Sequence, residues 1–312
     1  MNRNTAMGVN QVTEDLGLLP TEVEQRCRQS LKKPFQNSTR NESLMKRILI
    51  TGATDGIGLA TAKMLAPLGH HLLLHGRDAQ KLEQLEHSLR ELSNEAVVEC
   101  YVADLSRMNE VKSLAEAVSA KHDHLDVLIN NAGVFSTSDP LSPEGLDVRF
   151  VVNAIAPYLL TQRLLPRMDS TSRVINLSSS AQSPVAMDAF RGERLLSDLD
   201  AYSQSKLALT MWSRGLADSL GTDGPAIIAV NPGSLLASKM VQQAFGVPGQ
   251  DINIGAKILT RATLDDEFAT ASGQYFNNDT GEFGPPHADA LDAEKNAQII
   301  QAIEETLAKQ LN

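Results

Sequence analysis

The chain has 312 residues, 42% of them hydrophobic and 21% charged, enough apolar material for one large α/β domain or two small ones. Its 38 acidic residues outnumber 28 Lys and Arg for a formal net charge of -10, and no basic stripe interrupts that excess, which argues against a nucleic-acid partner. Two cysteines, Cys27 and Cys100, give neither a disulfide framework nor metal-ligand spacing and point to a reducing, cytoplasmic setting; no apolar run reaches signal-peptide length at the start or the roughly 18 residues of a spanning helix.

Residues 1–44 are polar, with one weak helical pattern in "TEVEQRCRQSLKK". Such a segment has little apolar surface to offset its ordering entropy, so a flexible N-terminal extension is expected. Met45 directly precedes "KRILITG", and the folded domain is expected over residues 45–312. Translation starting at Met45 is a hypothesis that follows; an intact mass that includes Met1 would refute it.

From residue 46 onward, apolar runs alternate with amphipathic segments. Strands are predicted at Arg47 to Thr51, His71 to His75, Val97 to Ala103, Val127 to Asn130, Val174 to Leu177 and Ile227 to Val230. Helical patterns lie at about 56–67, 78–92, 107–121, 144–166 and 202–220. Continuous Val/Ile/Leu strands joined by helices imply a parallel sheet covered on both faces, here a single-domain, doubly wound α/β (Rossmann) fold. Its ligand is expected beyond the carboxyl ends of the strands.

The first strand stops in "ILITGATDGIG", where Gly52, Gly56 and Gly58 precede a helical run. Glycine permits a tight turn and close approach of a bound group. The unpaired amides and dipole of the following helix favour an anion such as a pyrophosphate. The later strand ends carry "HGRD", "ADLS", "NNAG", "INLSSS" and "NPGS", and "YSQSK" follows at residues 202–206.

With these motifs in this order, the chain resembles the short-chain dehydrogenase/reductase family over residues 46 to about 300. The glycine spacing is GxxxGxG, and a long gap from Ser179 to Tyr202 is similar to that of the retinol-dehydrogenase-like branch. The resemblance implies an enzyme that interconverts an alcohol and a carbonyl with a nicotinamide dinucleotide. It implies Tyr202 as acid/base, Lys206 as its support, Ser179 as the residue holding the substrate oxygen, with Ser178 the alternative, and Asn153 completing a proton relay. Tyr202 and Lys206, four apart, share a helix face, and an ammonium beside a phenol is expected to lower a pKa that starts near ~10.

For the cofactor, the resemblance implies a pyrophosphate turn of Thr51, Gly52, Asp55, Gly56, Ile57 and Gly58, and Asp104 and Leu105 beside the adenine. Asn131, Ala132 and Gly133 would line the ribose and brace the first strand, with Pro232, Gly233, Tyr202 and Lys206 near the nicotinamide. An acidic residue at the end of the second strand would select NAD. This chain has Gly76 and then Arg77, whose fork of donors suits a 2′-phosphate, so NADP(H) is expected, with NAD(H) the alternative. Asp55 opposes that choice with its charge. The threonine that follows "NPG" in the family is replaced here by Ala237, with Ser238 one residue further on.

Residues 183–200 and 234–254 are expected to border a small-molecule substrate, the second as an apolar lid. Relatives pair through the helices that carry Asn153 and Tyr202, so a homo-oligomer is expected. "HDH" at 122–124 reads as a solvated connection, His287 has no identifiable partner, and no metal is assigned. Two other readings are a non-catalytic dinucleotide-sensing regulator on the same fold and an interaction protein with residues 1–44 as a docking arm. Turnover with any carbonyl separates the first from an enzyme, and partner capture after deletion of the arm tests the second.

Overall fold

The computed structural model describes residues 45–237, 240–242, 246 and 248–311. The expectations for residues 1–44 and for Ser238 lie outside the described residues. Strand β1 (Arg47–Ile50) leads into helix α1 (Gly56–Leu65), followed by β2 (His71–Gly76), α2 (Ala79–Leu92), β3 (Val97–Val102), α3 (Met108–Lys121) and β4 (Val127–Asn130). Helix α4 then runs through an α-turn at Val148–Phe150, a π-turn at Val151–Ile155 and an α-helical part at Ala156–Leu164. After it come β5 (Arg173–Leu177), α5 (Asp198–Leu220), β6 (Ala226–Asn231), α6 (Asn253–Leu264), β7 (Tyr275–Asn277), β8 (Glu282–Gly284) and α7 (Ala293–Gln310).

The eight strands form one sheet in the order β3-β2-β1-β4-β5-β6-β7-β8, parallel except for the β7–β8 pair. Its central strands are buried almost throughout, as their continuous apolar runs require when helices cover both faces. One face packs on Leu82, Leu85 and Leu89 of α2, Ala62 and Leu65 of α1 and Ile258 and Leu259 of α6. The other packs on α3, α4, α5 and α7 through residues such as Val111, Leu160, Trp212 and Ile303.

Strand order reverses between β1 and β4: the chain moves outward to β3, then returns to β4 on the other side of β1. Loops leaving β1 and β4 therefore diverge and leave a crevice at the carboxyl end of the sheet.

Several elements differ from the sequence expectation. Helix α5 starts at Asp198, four residues before Tyr202, because the Ser197 hydroxyl accepts from Asp200 N and caps it there. The three-residue strands β7 and β8 and helices α6 and α7 were not predicted. Strands so short carry no periodicity of their own, and β7 exists through its parallel pairing with β6.

Candidate active site

The turn after β1 is shaped by glycine for three separate reasons. Gly52 has φ +65°, and a Cβ there would lie 2.9 Å from Ala132 Cα, across the β1/β4 crevice. Gly56 has φ +56° with nothing within 4 Å of a Cβ, so it opens on free space. Gly58 has no unusual φ, but its Cβ would meet Gly52 O and Asn131 Nδ2 at 2.4 Å each. Asp55 caps α1 by accepting from Gly56 N at 2.8 Å.

Thr51 lies behind this turn and is buried. Its Oγ1 accepts from the backbone N of Asn131 and Ala132 at 3.0 and 3.1 Å, while Asn131 Nδ2 donates to Thr51 O and Gly52 O at 2.8 and 3.1 Å. The "NNAG" segment thus holds the glycine turn in place. Gly56 and Ile57 at the start of α1 line the crevice, and a Cβ would collide with Ala132 if added at Gly52 and with Thr54, at 2.8 Å, if added at Gly76. These features fit a dinucleotide.

A cavity of about 880 Å³ occupies the crevice. Of the residues expected from sequence, Gly52, Asp55, Gly56, Ile57, Arg77, Asp104, Leu105, Asn131, Ala132, Gly133, Tyr202, Lys206 and Pro232 line it, as does Ser178, the alternative to Ser179. Thr51, Gly58, Asn153, Ser179 and Gly233 adjoin it without lining it. The lining also includes Thr54, His75 and Arg107, which the sequence reading missed. Arg107 was legible as the first basic residue after "ADLS", and His75 as the residue before Gly76.

His75 is 1% exposed. Its Nε2 lies 3.0 Å from Ala103 O, which can only accept, so Nε2 carries the proton. Nδ1 is left to accept from Gly52 N at 3.3 Å. Burial lowers its pKa to about 4, so the neutral ring ties the ends of β2 and β3 to the glycine turn at neutral pH.

Tyr202 and Lys206 project from the first turns of α5. Lys206 Nζ donates to Leu177 O at 2.7 Å and lies 5.6 Å from the Tyr202 ring centroid. Burial lowers its pKa to about 8. The Tyr202 phenol moves the opposite way from the sequence expectation: burial raises its pKa, and the hydrogen bond with the Ser179 side chain pulls it down only in part. The reason is desolvation: Lys206 is buried and Tyr202 half-buried, and withdrawal from water disfavours the charged form of each.

Asn153 sits inside the π-turn of α4, an insertion of a kind that often marks functional sites. Its amide is fully used: Oδ1 accepts from Val134 N at 2.8 Å, and Nδ2 donates to Val134 O and Ser205 Oγ at 2.9 Å each. A Cβ at Gly133 would lie 3.5 Å from Asn153 Oδ1 and 3.6 Å from Lys206 Nζ, so the three residues meet at one point.

Ser179 Oγ also accepts from Ala181 N at 3.1 Å. Ser178 is buried and bonded to Thr210 Oγ1 at 2.7 Å, and Ser180 pairs with Ser234 at 3.1 Å.

The lining also includes the apolar side chains Phe135, Leu141, Val148, Val152 and Met240, with Ser136, Thr137, Asp139 and Ser142 among them. Residues 234–254 contribute Met240 and residues 183–200 contribute nothing among the described residues. Within 183–200, Phe190 is buried against Phe150, with ring centroids 5.1 Å apart. Ala237 N donates to Gln250 O at the base of the second segment.

His122 is not part of a solvated connection, as the sequence suggested: it is 6% exposed, because the end of α3 turns its ring under β2 and β3. His124, with 34% of its side chain exposed, lies near Asp126 and Asp169. The His287 ring has a partner, Asp289 N, at 3.2 Å.

Comparison with known proteins agrees with this architecture. The family model for short chain dehydrogenase matches residues 46–246. Retinol dehydrogenase 12 of Mus musculus is 31% identical over 245 residues, covering 75% of this chain and 78% of its own length. Human retinol dehydrogenase 13 is 29% identical over 251 residues, covering 74% and 76%. A putative short chain dehydrogenase from Escherichia coli CFT073, solved in complex with NADPH, superposes with a TM-score of 0.62 at 26% identity, covering 75% of this chain and 96% of its own. The chain therefore belongs to the short chain dehydrogenase family, a family of oxidoreductases acting on CH–OH groups, on the retinol-dehydrogenase-like side of it.

Proposed function

We propose that this oxidoreductase uses NADP(H) to interconvert an alcohol and a carbonyl in an apolar small molecule. The observation that carries the reading is that the glycine turn and Arg77 share the lining of one cavity with Tyr202, Lys206 and apolar side chains such as Phe135 and Leu141. Arg77 and Arg107 both border it, and guanidinium groups match the fork geometry of a phosphate. The NADPH complex of the Escherichia coli relative and the retinol dehydrogenase names of the sequence relatives point the same way.

When bound, the nicotinamide supplies the hydride in reduction and accepts it in oxidation. Tyr202 gives the substrate oxygen its proton in reduction and takes it back in oxidation. Ser179, already hydrogen-bonded to Tyr202, holds that oxygen beside the phenol. The Lys206 ammonium stabilises the phenolate left behind. Its cost of burial is offset by Leu177 O, and Asn153 keeps the Val134 segment and α5 in register around it. The apolar side chains of the lining, Phe135, Leu141, Val148, Val152 and Met240, hold the rest of the substrate. A cytoplasmic setting and pairing with a second copy belong to the same proposal, and among the described residues no helix is long and apolar enough to cross a membrane.

The test is a screen of apolar aldehydes and ketones, retinal included, with NADPH and purified protein, following nicotinamide absorbance. Turnover is expected, and Tyr202→Phe is expected to reduce it about 10²–10⁴-fold with NADPH binding retained. A Tyr202→Phe rate above a tenth of the wild-type rate would refute the role given to the phenol.

A further inference from the structure

At the opposite end of the strands from the cavity, three side chains that the mechanism does not use converge. His71 is the first residue of β2, Glu99 the third of the edge strand β3, and His122 the residue that ends α3. The parallel register pairs His71 with Val97 and Leu73 with Glu99. His71, Glu99 and Tyr101 therefore share the sheet face that packs on α3. Glu99 Oε1 lies 2.9 Å from His71 Nε2 and 3.4 Å from His122 Nε2, and the three donor atoms all fall within 4.8 Å of one another. The two imidazoles meet edge to face, with centroids 5.2 Å apart.

We propose that these residues form a structural binding site for a divalent transition cation, with Zn²⁺ as the favoured ion. Two imidazole nitrogens and one carboxylate oxygen are a donor set that zinc takes, with ligand distances near 2.0–2.2 Å. Donors at that distance in a tetrahedron stand about 3.3 Å apart, which the 2.9 and 3.4 Å separations bracket.

Hydrogen bonding accounts for only part of the arrangement: His122 Nε2 lies 3.3 Å from Tyr101 Oη, a contact that a bound cation would replace. His71 Nε2 is buried and close to Oε1, but off the direction of a hydrogen bond, and it has no other partner. A cation seated between the rings would use its lone pair.

The other carboxylate oxygen is already engaged. Tyr101 Oη donates to Glu99 Oε2 at 2.9 Å, and Lys121 Nζ lies 3.2 Å from the same atom. This is the outer support that orients a ligating carboxylate, and it leaves Oε1 to face the imidazoles. The Lys121 side chain is 61% exposed and long enough to swing from an incoming cation. Glu99, 26% exposed, leaves the fourth position to a water. The ion would join β2, β3 and the end of α3, a staple for the sheet edge. Sequence reading could not reach it, since 28 residues separate His71 from Glu99 and 23 separate Glu99 from His122.

The test is a Co²⁺ titration of the full chain after chelator treatment, followed by Zn²⁺ displacement. Saturable uptake of one equivalent with the visible spectrum of four-coordinate Co²⁺ is expected, reversed by Zn²⁺, and Zn²⁺ should raise the melting temperature. His71→Gln and Glu99→Gln should each weaken binding about 100-fold and abolish the Zn²⁺-dependent rise, whereas His87→Gln, on the exposed face of α2, should change neither. A cooperative thermal transition identifies variants that fold, and His122→Gln replaces any that does not. Failure to bind one equivalent, a spectrum that is not four-coordinate, or unchanged affinity in a folded ligand variant would overturn the proposal.

Discussion

Replacing Gly58 and Gly56 separately by Ala should break the glycine turn in two different ways. At Gly58 the backbone accepts Ala without strain, and in a helix Ala would by itself be favoured by about 1 kcal/mol. The new methyl, however, would lie 2.4 Å from Gly52 O and from Asn131 Nδ2, and ordinary contact begins at 3.4 Å, so α1 must withdraw by about 1 Å. Neither obstacle can turn away: one is backbone, and the other is held by two hydrogen bonds to Thr51 O and Gly52 O. Overpacking of this kind costs about 1–3 kcal/mol of stability, and a displacement of about 1 Å in a positioning element costs on the order of 100-fold in function. At Gly56 the methyl meets nothing within 4 Å, and the cost is the φ of +56° alone. That strain is about 1–2 kcal/mol and local, so NADPH affinity should fall about tenfold with thermal stability lowered less than in Gly58→Ala. Nicotinamide fluorescence titration and thermal unfolding of both variants give the comparison. If Gly58→Ala binds NADPH within threefold of wild type at unchanged stability, the close-approach argument is wrong.

Arg77→Ala should weaken NADPH far more than NADH, by about tenfold or more for a lost charge-assisted phosphate contact, as read in parallel fluorescence titrations; equal losses would remove the 2′-phosphate assignment. Arg149, 1% exposed, donates through Nε to Asp147 Oδ1 at 2.8 Å and through Nη2 to Asp147 Oδ2 at 2.7 Å, and also holds Asp198 at the start of α5. Arg149→Met strands the buried Asp147 carboxylate and should cost about 3–5 kcal/mol in urea unfolding, with much of the loss recovered when Asp147→Asn is added; a cost below about 1 kcal/mol would contradict the burial argument. The folded-state pKa of His75, about 4, lies below its unfolded value of 6.5, so the unfolded chain binds the extra proton between them. Stability from this group is therefore complete above pH 6.5 and declines as the pH falls toward 4, by up to about 3 kcal/mol. Thermal midpoints of His75→Asn against wild type across that window should converge as the pH falls, and parallel curves would show that His75 is not the group involved.

What the sequence determined by itself is the frame and which residues that frame carries to its cavity. Apolar runs between amphipathic stretches locate β1 to β6 to within about one residue, because the central strands, buried on both faces, have to be nearly continuously apolar, while the edge strand β3 keeps enough Val and Tyr to stand out. The glycines, "NNAG" and "YSQSK" are local patterns whose spacing alone sets which residues leave a strand end or share a helix face. Tertiary structure decided whatever depends on residues distant in the chain. The π-turn at Asn153 has no local signature, and its amide is satisfied by Val134 and Ser205, 19 and 52 residues away. His75 becomes a tie between the turn and β3 only when Ala103 and Gly52 are brought to its two nitrogens. The direction of the Tyr202 shift, too, is decided by desolvation, which depends on residues distant in the chain such as Phe135, whose ring centroid lies 5.0 Å from that of Tyr202. Pairwise spacing can be read along a chain, but desolvation and long-range hydrogen bonding belong to the packed molecule.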